Sequence, residues 1–229
     1  MIKILHKIYS RWILLIRGNR LITYFLFGFA PKNYIYKQYW DWTTLEMKKS
    51  LKRIYKHNSN ILDMGTGPYA ILAIYAKNVL DCSKVTGADF CKELIENAMQ
   101  YKNTEYIQLI HTDLFEKIND HYDIILFNAP YIDEVFGKNL GILNSELTKR
   151  RWSGGIKGIQ TIERFLSESK NHLTSEGIII LGVNNFYVDN KLMEEIIKNK
   201  GFFMLNRYSN KLTKACAYVL KIGDNHDSL

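Results

Sequence analysis

Apolar positions along the chain fall into short runs that alternate with stretches of helical spacing. Residues 61–64, 84–88, 106–111, 123–127 and 177–183 read as strands, and 123–127 is continuously apolar, as a strand buried on both faces requires. Helices are predicted over 43–56, 68–77, 90–101, 158–173 and 189–200. Thr43 or Thr44 is the expected N-cap of the first, Pro68 opens the second, where its missing N–H costs nothing, and Gly201 closes the last. The turn Ser175-Glu176-Gly177 opens the fifth strand. Residues 132–157 form a long connection with glycines late in it. The final runs, 202–208 and 215–222, leave no room for a helix between them and are expected to pair antiparallel. Strand–helix alternation of this kind dictates a doubly wound α/β fold, an open, mostly parallel sheet of seven strands covered by helices on both faces.

The first 41 residues follow another pattern. Over 2–17, Leu5, Ile8, Trp12 and Leu15 share one helical face while Lys3, Lys7 and Arg11 share another. Such a helix covers the main domain, lies on a membrane or grips a partner. The run 21–30 after a basic start imitates a secretion signal, but the apolar run 12–16 upstream, split off by Arg17-Gly-Asn-Arg20, argues against one. No stretch of about 18 apolar residues spans a membrane. The expected organisation is a basic helical segment over 1–41, one domain over 42–223 and a tail over 224–229.

Charge sharpens this division. The formal net charge is +8, yet residues 1–60 carry 12 Lys or Arg against two acids, Asp41 and Glu46. A local positive field attracts nucleic-acid phosphates, anionic lipid or an acidic protein partner, or else only keeps the surface solvated. Three cysteines, Cys82, Cys91 and Cys216, have no metal-type spacing and point to buried thiols in a reducing, cytoplasmic compartment. The six histidines show no metal pairing, so no metal site is expected.

In doubly wound sheets ligands bind beyond the carboxyl ends of the strands. The first strand ends Leu62-Asp63-Met64-Gly65-Thr66-Gly67-Pro68-Tyr69-Ala70. Gly65 and Gly67 allow a tight turn and a close ligand approach, a pattern shared by several nucleotide cofactors. Asp63 discriminates among them. It would oppose a dinucleotide pyrophosphate, which needs an N–H-rich cradle, but favours the sulfonium and ammonium of S-adenosylmethionine. It could instead only cap the turn. Asp89, 22 residues after Gly67, stands where an acid accepts from ribose hydroxyls. Asp113 can accept from the adenine amine with Leu114 on the ring, or only cap a helix. Thr66 and Phe90 complete the expected cofactor contacts.

The fourth strand delivers Phe127-Asn128-Ala129-Pro130-Tyr131. With this tetrapeptide the chain resembles the class I methyltransferases of planar nitrogens, in layout the HemK/PrmC-type protein-glutamine methyltransferases and their nucleic-acid amine relatives, which carry Asn-Pro-Pro-Tyr here. The resemblance covers roughly residues 42–222. It includes Gly87-Ala88-Asp89, His111–Glu116 and Gly154-Gly155-Ile156-Lys157-Gly158, which is similar to a Gly-Gly-x-x-Gly segment of that family. It implies a Rossmann-like methyltransferase fold, S-adenosylmethionine as cofactor, and Asn128, Pro130 and Tyr131 as catalytic residues. Asn128 oxygen and the Ala129 carbonyl can accept the two N–H groups of a planar NH2, Pro130 stiffens the turn, and Tyr131 stacks on the target. The acceptor is a protein glutamine, a nucleobase or a small amine metabolite. Two departures bear on it: Ala129 replaces the family's first proline and adds an N–H donor, and Tyr69 stands where small residues are usual. The segment before the domain is also shorter than the helical domain by which bacterial release-factor enzymes hold their substrate, which weakens a standard release-factor role. A binding module that kept the fold and lost catalysis is the competing reading, and an NAD-dependent oxidoreductase is disfavoured by Asp63. The aromatic stretch 34–42 either lines the site or packs in the core.

Overall fold

The computed structural model describes residues 14–32 and 38–223. Most of the amphipathic helix expected over 2–17 lies outside the described residues, as do 34–37 of the aromatic stretch and the tail 224–229; residues 14–17 are helical.

Helix α1 (Arg20–Phe27) begins where the Asn19 side chain accepts from the Ile22 amide and ends at Gly28 in the left-handed region. Helix α2 (Trp42–Ile54) is closed at its start by a reciprocal box. Asp41 accepts from the Thr44 amide and the Thr44 hydroxyl faces the Asp41 amide, so Asp41, not Thr43 or Thr44, is the N-cap. Then follow β1 (Asn60–Met64), α3 (Ile71–Asn78), β2 (Lys84–Asp89), α4 (Lys92–Met99), β3 (Gln108–His111) and β4 (Tyr122–Asn128). Pro68 does not open α3: a turn runs through residues 67–70, Ala70 takes φ 43°, and the helix starts at Ile71.

The connection expected over 132–157 is structured. It holds β5 (Ile132–Asp133), α5 (Glu134–Asn139), α6 (Glu146–Trp152) and β6 (Ser153–Gly155), with β5 and β6 paired parallel. Helix α7 (Gln160–Ser169) then leads to β7 (Leu173–Asn184), α8 (Asn190–Asn199), β8 (Phe202–Ser209) and β9 (Ala215–Ile222). The turn expected at 175–177 is instead an irregularity within β7, where the register against β4 jumps between the pairs Tyr122–Leu173 and Ile124–Ile178. Thr174 hydroxyl donates to Asp123 there at 2.9 Å.

The main sheet has seven strands in the order β3-β2-β1-β4-β7-β9-β8. All neighbours are parallel except β9, which runs antiparallel to both β7 and β8, as the absence of a helix between the last two runs dictates. Alternate strand residues feed two apolar cores. Ile61, Ile124 and Ile180 face α1, α2 and α3, with Phe27, Met47, Leu51 and Ile74. Leu62, Ile125 and Ile179 face α7 and α8, with Phe165, Leu166, Met193 and Ile197. Each such side chain contributes about 1.5–3 kcal/mol by leaving water. Phe27, Phe29, Tyr39 and Trp40 belong to the first of these cores, so packing is continuous across residue 42. Among the described residues no helix is long and apolar enough to cross a membrane.

Candidate active site

Chain order runs outward from β1 through β2 to β3, then crosses back to β4 on the other side of β1. This reversal opens a crevice at the carboxyl ends of β1 and β4, the place where such sheets bind ligands. A cavity of about 1230 Å³ lies there. Every site residue expected from the sequence lines it: Asp63, Gly65, Thr66, Gly67, Asp89, Phe90, Asp113, Leu114, Asn128, Pro130 and Tyr131.

The cofactor half is built from the turn after β1. Gly65 and Gly67 take φ values of 67° and 69°, which a side chain would strain. Two carboxylates hold the turn. Asp63 Oδ2 accepts from Thr66 Oγ1 at 2.7 Å and from the Ala73 amide at 3.2 Å. Asp89 Oδ2 accepts from the Gly67 amide and its Oδ1 from the Cys91 amide, both at 2.9 Å. Both acids tie down backbone and also line the cavity. Burial pushes the Asp63 carboxyl up to about 7 against its hydrogen bonds, and the nearby Asp89 adds to the rise. Burial also raises Asp89. A wall of two buried carboxylates suits a cationic ligand, which would favour their ionised forms.

Asp113 lines the cavity and also makes an ion pair. Its Oδ2 accepts from Arg164 Nη1 at 2.8 Å, and the same guanidinium meets Glu168. Leu114 is buried at φ 43°, and Phe90 is exposed. Arg164 lies 51 residues from Asp113 in sequence, and no local pattern announces the pair.

The other half of the cavity is built from the turn after β4. Asn128 Nδ2 donates to Asp41 Oδ1 and Oδ2 at 3.3 and 3.4 Å and to Thr44 Oγ1 at 3.2 Å. Among the described residues, Asn128 Oδ1 is buried with no hydrogen-bond partner. The N–H that Ala129 adds is absorbed by the Gly182 carbonyl at 3.2 Å, so the departure from proline leaves no idle donor. The Tyr131 hydroxyl lies 3.5 Å from Thr43 Oγ1, its ring tilts against Tyr187, and burial raises its phenol so that it stays neutral. The late glycines now have a reason. A Cβ on Gly154 would meet the Pro130 carbonyl, and one on Gly158 the Tyr131 carbonyl. These residues press against the back of the turn. Of the aromatic stretch, Tyr39 and Trp40 are buried in the core, while residues 39–42 also line the cavity. Tyr69 packs against Tyr39 at 5.1 Å and Tyr101 at 6.2 Å while lining the cavity.

The sheet and crevice define a Rossmann-like methyltransferase fold. A methyltransferase from Pyrococcus furiosus superposes with a TM-score of 0.64 at 18% identity, covering 92% of this chain and 96% of its own. The ribosomal protein L11 methylase of Lactobacillus delbrueckii superposes at 0.61 with 15% identity, covering 85% and 92%. No family profile matches the chain. Among curated proteins, the release factor glutamine methyltransferase of Lactococcus lactis is 31% identical over 152 residues, 63% of this chain and 54% of that protein. The ribosomal protein uL3 glutamine methyltransferase of Neisseria gonorrhoeae is 29% identical over 133 residues, 55% of this chain and 43% of that protein. The chain is thus a homologue of HemK/PrmC-like glutamine methyltransferases, and it spans about half the length of the curated relatives it matches.

Proposed function

We propose that the protein is an S-adenosylmethionine-dependent N-methyltransferase acting on a glutamine side chain of a protein. The observation that carries this reading is the Asn128 amide: its nitrogen is consumed by Asp41 and Thr44, and its oxygen is a buried acceptor without a partner. Leaving such an atom unpaired costs about 1–3 kcal/mol, which a substrate N–H recovers. A glutamine amide brings two N–H donors, one for Asn128 Oδ1 and one for the Ala129 carbonyl. Held this way, with Tyr131 beside it, its nitrogen directs electron density towards the neighbouring methyl donor. The residues present fit that donor: the buried carboxylate of Asp63 faces positive charge, Asp89 takes ribose hydroxyls, and Leu114 and Phe90 flank the adenine. S-adenosylmethionine, when bound, supplies a methyl group on a positively charged sulfur. The amide nitrogen held by Asn128 Oδ1 and the Ala129 carbonyl would take that methyl, the sulfur would keep the electron pair of its broken bond, and the methylated nitrogen would lose a proton to water, so no strong base is required. Alignment is the main contribution of the protein.

Homology to release factor and uL3 glutamine methyltransferases supports a protein acceptor. The basic first 60 residues leave RNA as the second reading, and that reading demands a steep fall of activity with salt. Labelled methyl donor, offered with fractionated cell extract and with purified release factor and uL3, tests the proposal. Label on a glutamine of a protein supports it. Label only in RNA or in small molecules overturns it, and binding of NAD but not S-adenosylmethionine in calorimetry removes the methyltransferase reading altogether.

A further inference from the structure

We infer that Asp41 and Thr44 are positioning residues for the reaction: the cap of α2 fixes which end of the Asn128 amide meets the substrate. This rests on the proposed function, and it adds two residues from outside the motif segments.

An asparagine side chain is nearly symmetric in shape, so its two orientations differ only by the hydrogen bonds each allows. Here only one is allowed. Asp41 is an acceptor wherever it is ionised. Thr44 has one hydroxyl hydrogen, and it donates to Asp41 Oδ1 at 2.8 Å. Towards Asn128 the Thr44 oxygen can therefore only accept. Both groups that meet the amide are acceptors, so the amide must present its nitrogen to them, as it does at 3.2 to 3.4 Å. The oxygen is then turned away, without a partner. Reversing the amide would set an oxygen against a carboxylate and a hydroxyl oxygen, and would turn two donors towards an incoming NH2 that is itself a donor.

The arrangement is held firmly from α2. The Asp41 carboxylate also accepts from the Thr44 amide at 2.7 Å, so the cap of α2 and the orientation of Asn128 are one hydrogen-bond network. Thr44 is buried, and Asp41 and Asn128 are half-buried where they line the cavity. The contact joins residues 84 and 87 positions apart, across α2 and the end of β4.

The test compares Thr44→Val, which keeps the shape but removes the oxygen, with Thr44→Ser, which keeps the oxygen, and with Asp41→Ser, which keeps a capping oxygen on a shorter arm. Two readouts are used. The first needs no substrate: the Asn128 side-chain NH2 signal in 15N-labelled protein, assigned by its absence from Asn128→Ala. It should exchange slowly with water in the wild type and Thr44→Ser, and quickly in Thr44→Val and Asp41→Ser. The second is methyl transfer. Thr44→Val and Asp41→Ser should lose about 10- to 100-fold in kcat with KM for S-adenosylmethionine unchanged, Thr44→Ser should recover most of it, and Thr44→Val should cost nothing further in an Asn128→Ala background. Equal exchange in the wild type and Thr44→Val overturns the inference, as does wild-type kcat in Thr44→Val. If the NH2 signal behaves as expected while the wild type methylates no protein, the orientation stands and the proposed function fails.

Discussion

At the scale of single residues, the site is organised by acids and amides whose partners are already assigned before any ligand arrives. Asn128→Ala removes the acceptor without touching the glycine turn; methyl transfer should fall by about 100-fold or more while calorimetric affinity for S-adenosylmethionine holds. Asp63 makes a prediction in pH. Its carboxyl is raised to about 7, so the ligand-free folded chain keeps a proton that the unfolded chain has released. Stability should therefore fall as pH rises from about 4 to about 7 and level off above, by on the order of a few kcal/mol. Thermal unfolding of Asp63→Asn should show a flatter profile and a higher Tm than the wild type at pH 8. Cofactor affinity should move the other way: the wild type gains from pH 6 to 7 as Asp63 ionises, and the variant loses most of that gain. These acids were legible in the sequence because each closes or follows a strand, where the fold puts its ligands. Asp41 and Thr44 were not. Their partner is more than 80 residues away, and the sequence marked Thr44 only as a candidate N-cap and Asp41 not at all.

At the scale of elements, the strands and the glycine turn after β1 read true because apolar runs and sharp turns are local properties, whereas the turn expected at 175–177 lies inside β7. Helix starts read less well. Pro68 satisfied the rule for a first helical position, yet the ligand turn continues through Ala70 and delays α3 to Ile71. The connection between β4 and α7 read as a loop because α5 and α6, at 6 and 7 residues, are too short to show a period. The pairing of β5 with β6 depends on glycines pressed against the acceptor turn. Gly158→Ala should therefore displace Tyr131 in addition to straining a φ of 71°. It is expected to cost about 2–4 kcal/mol in urea unfolding and to lower kcat more than it weakens cofactor binding.

For the molecule as a whole, two apolar cores share one sheet, and the segment before α2 fills part of the first. Deleting residues 1–41 removes Phe27, Phe29, Tyr39 and Trp40 from that core and Asp41 from the cap. The truncated chain should lose cooperative unfolding in a thermal melt, whereas a detachable extension would leave the transition intact. Charge asymmetry suggested a boundary here, because lysines and arginines mark the solvated side of a segment and are silent about what its aromatic side packs against. The paired strands β5 and β6 carry one more consequence. They bring together the two ends of the excursion from residue 134 to 152, so it leaves and rejoins the domain at one place. The excursion returns Gly141, Ile142, Thr148, Arg150 and Arg151 to the cavity wall, so swapping this insert would rewrite the rim of the crevice along with its outer surface.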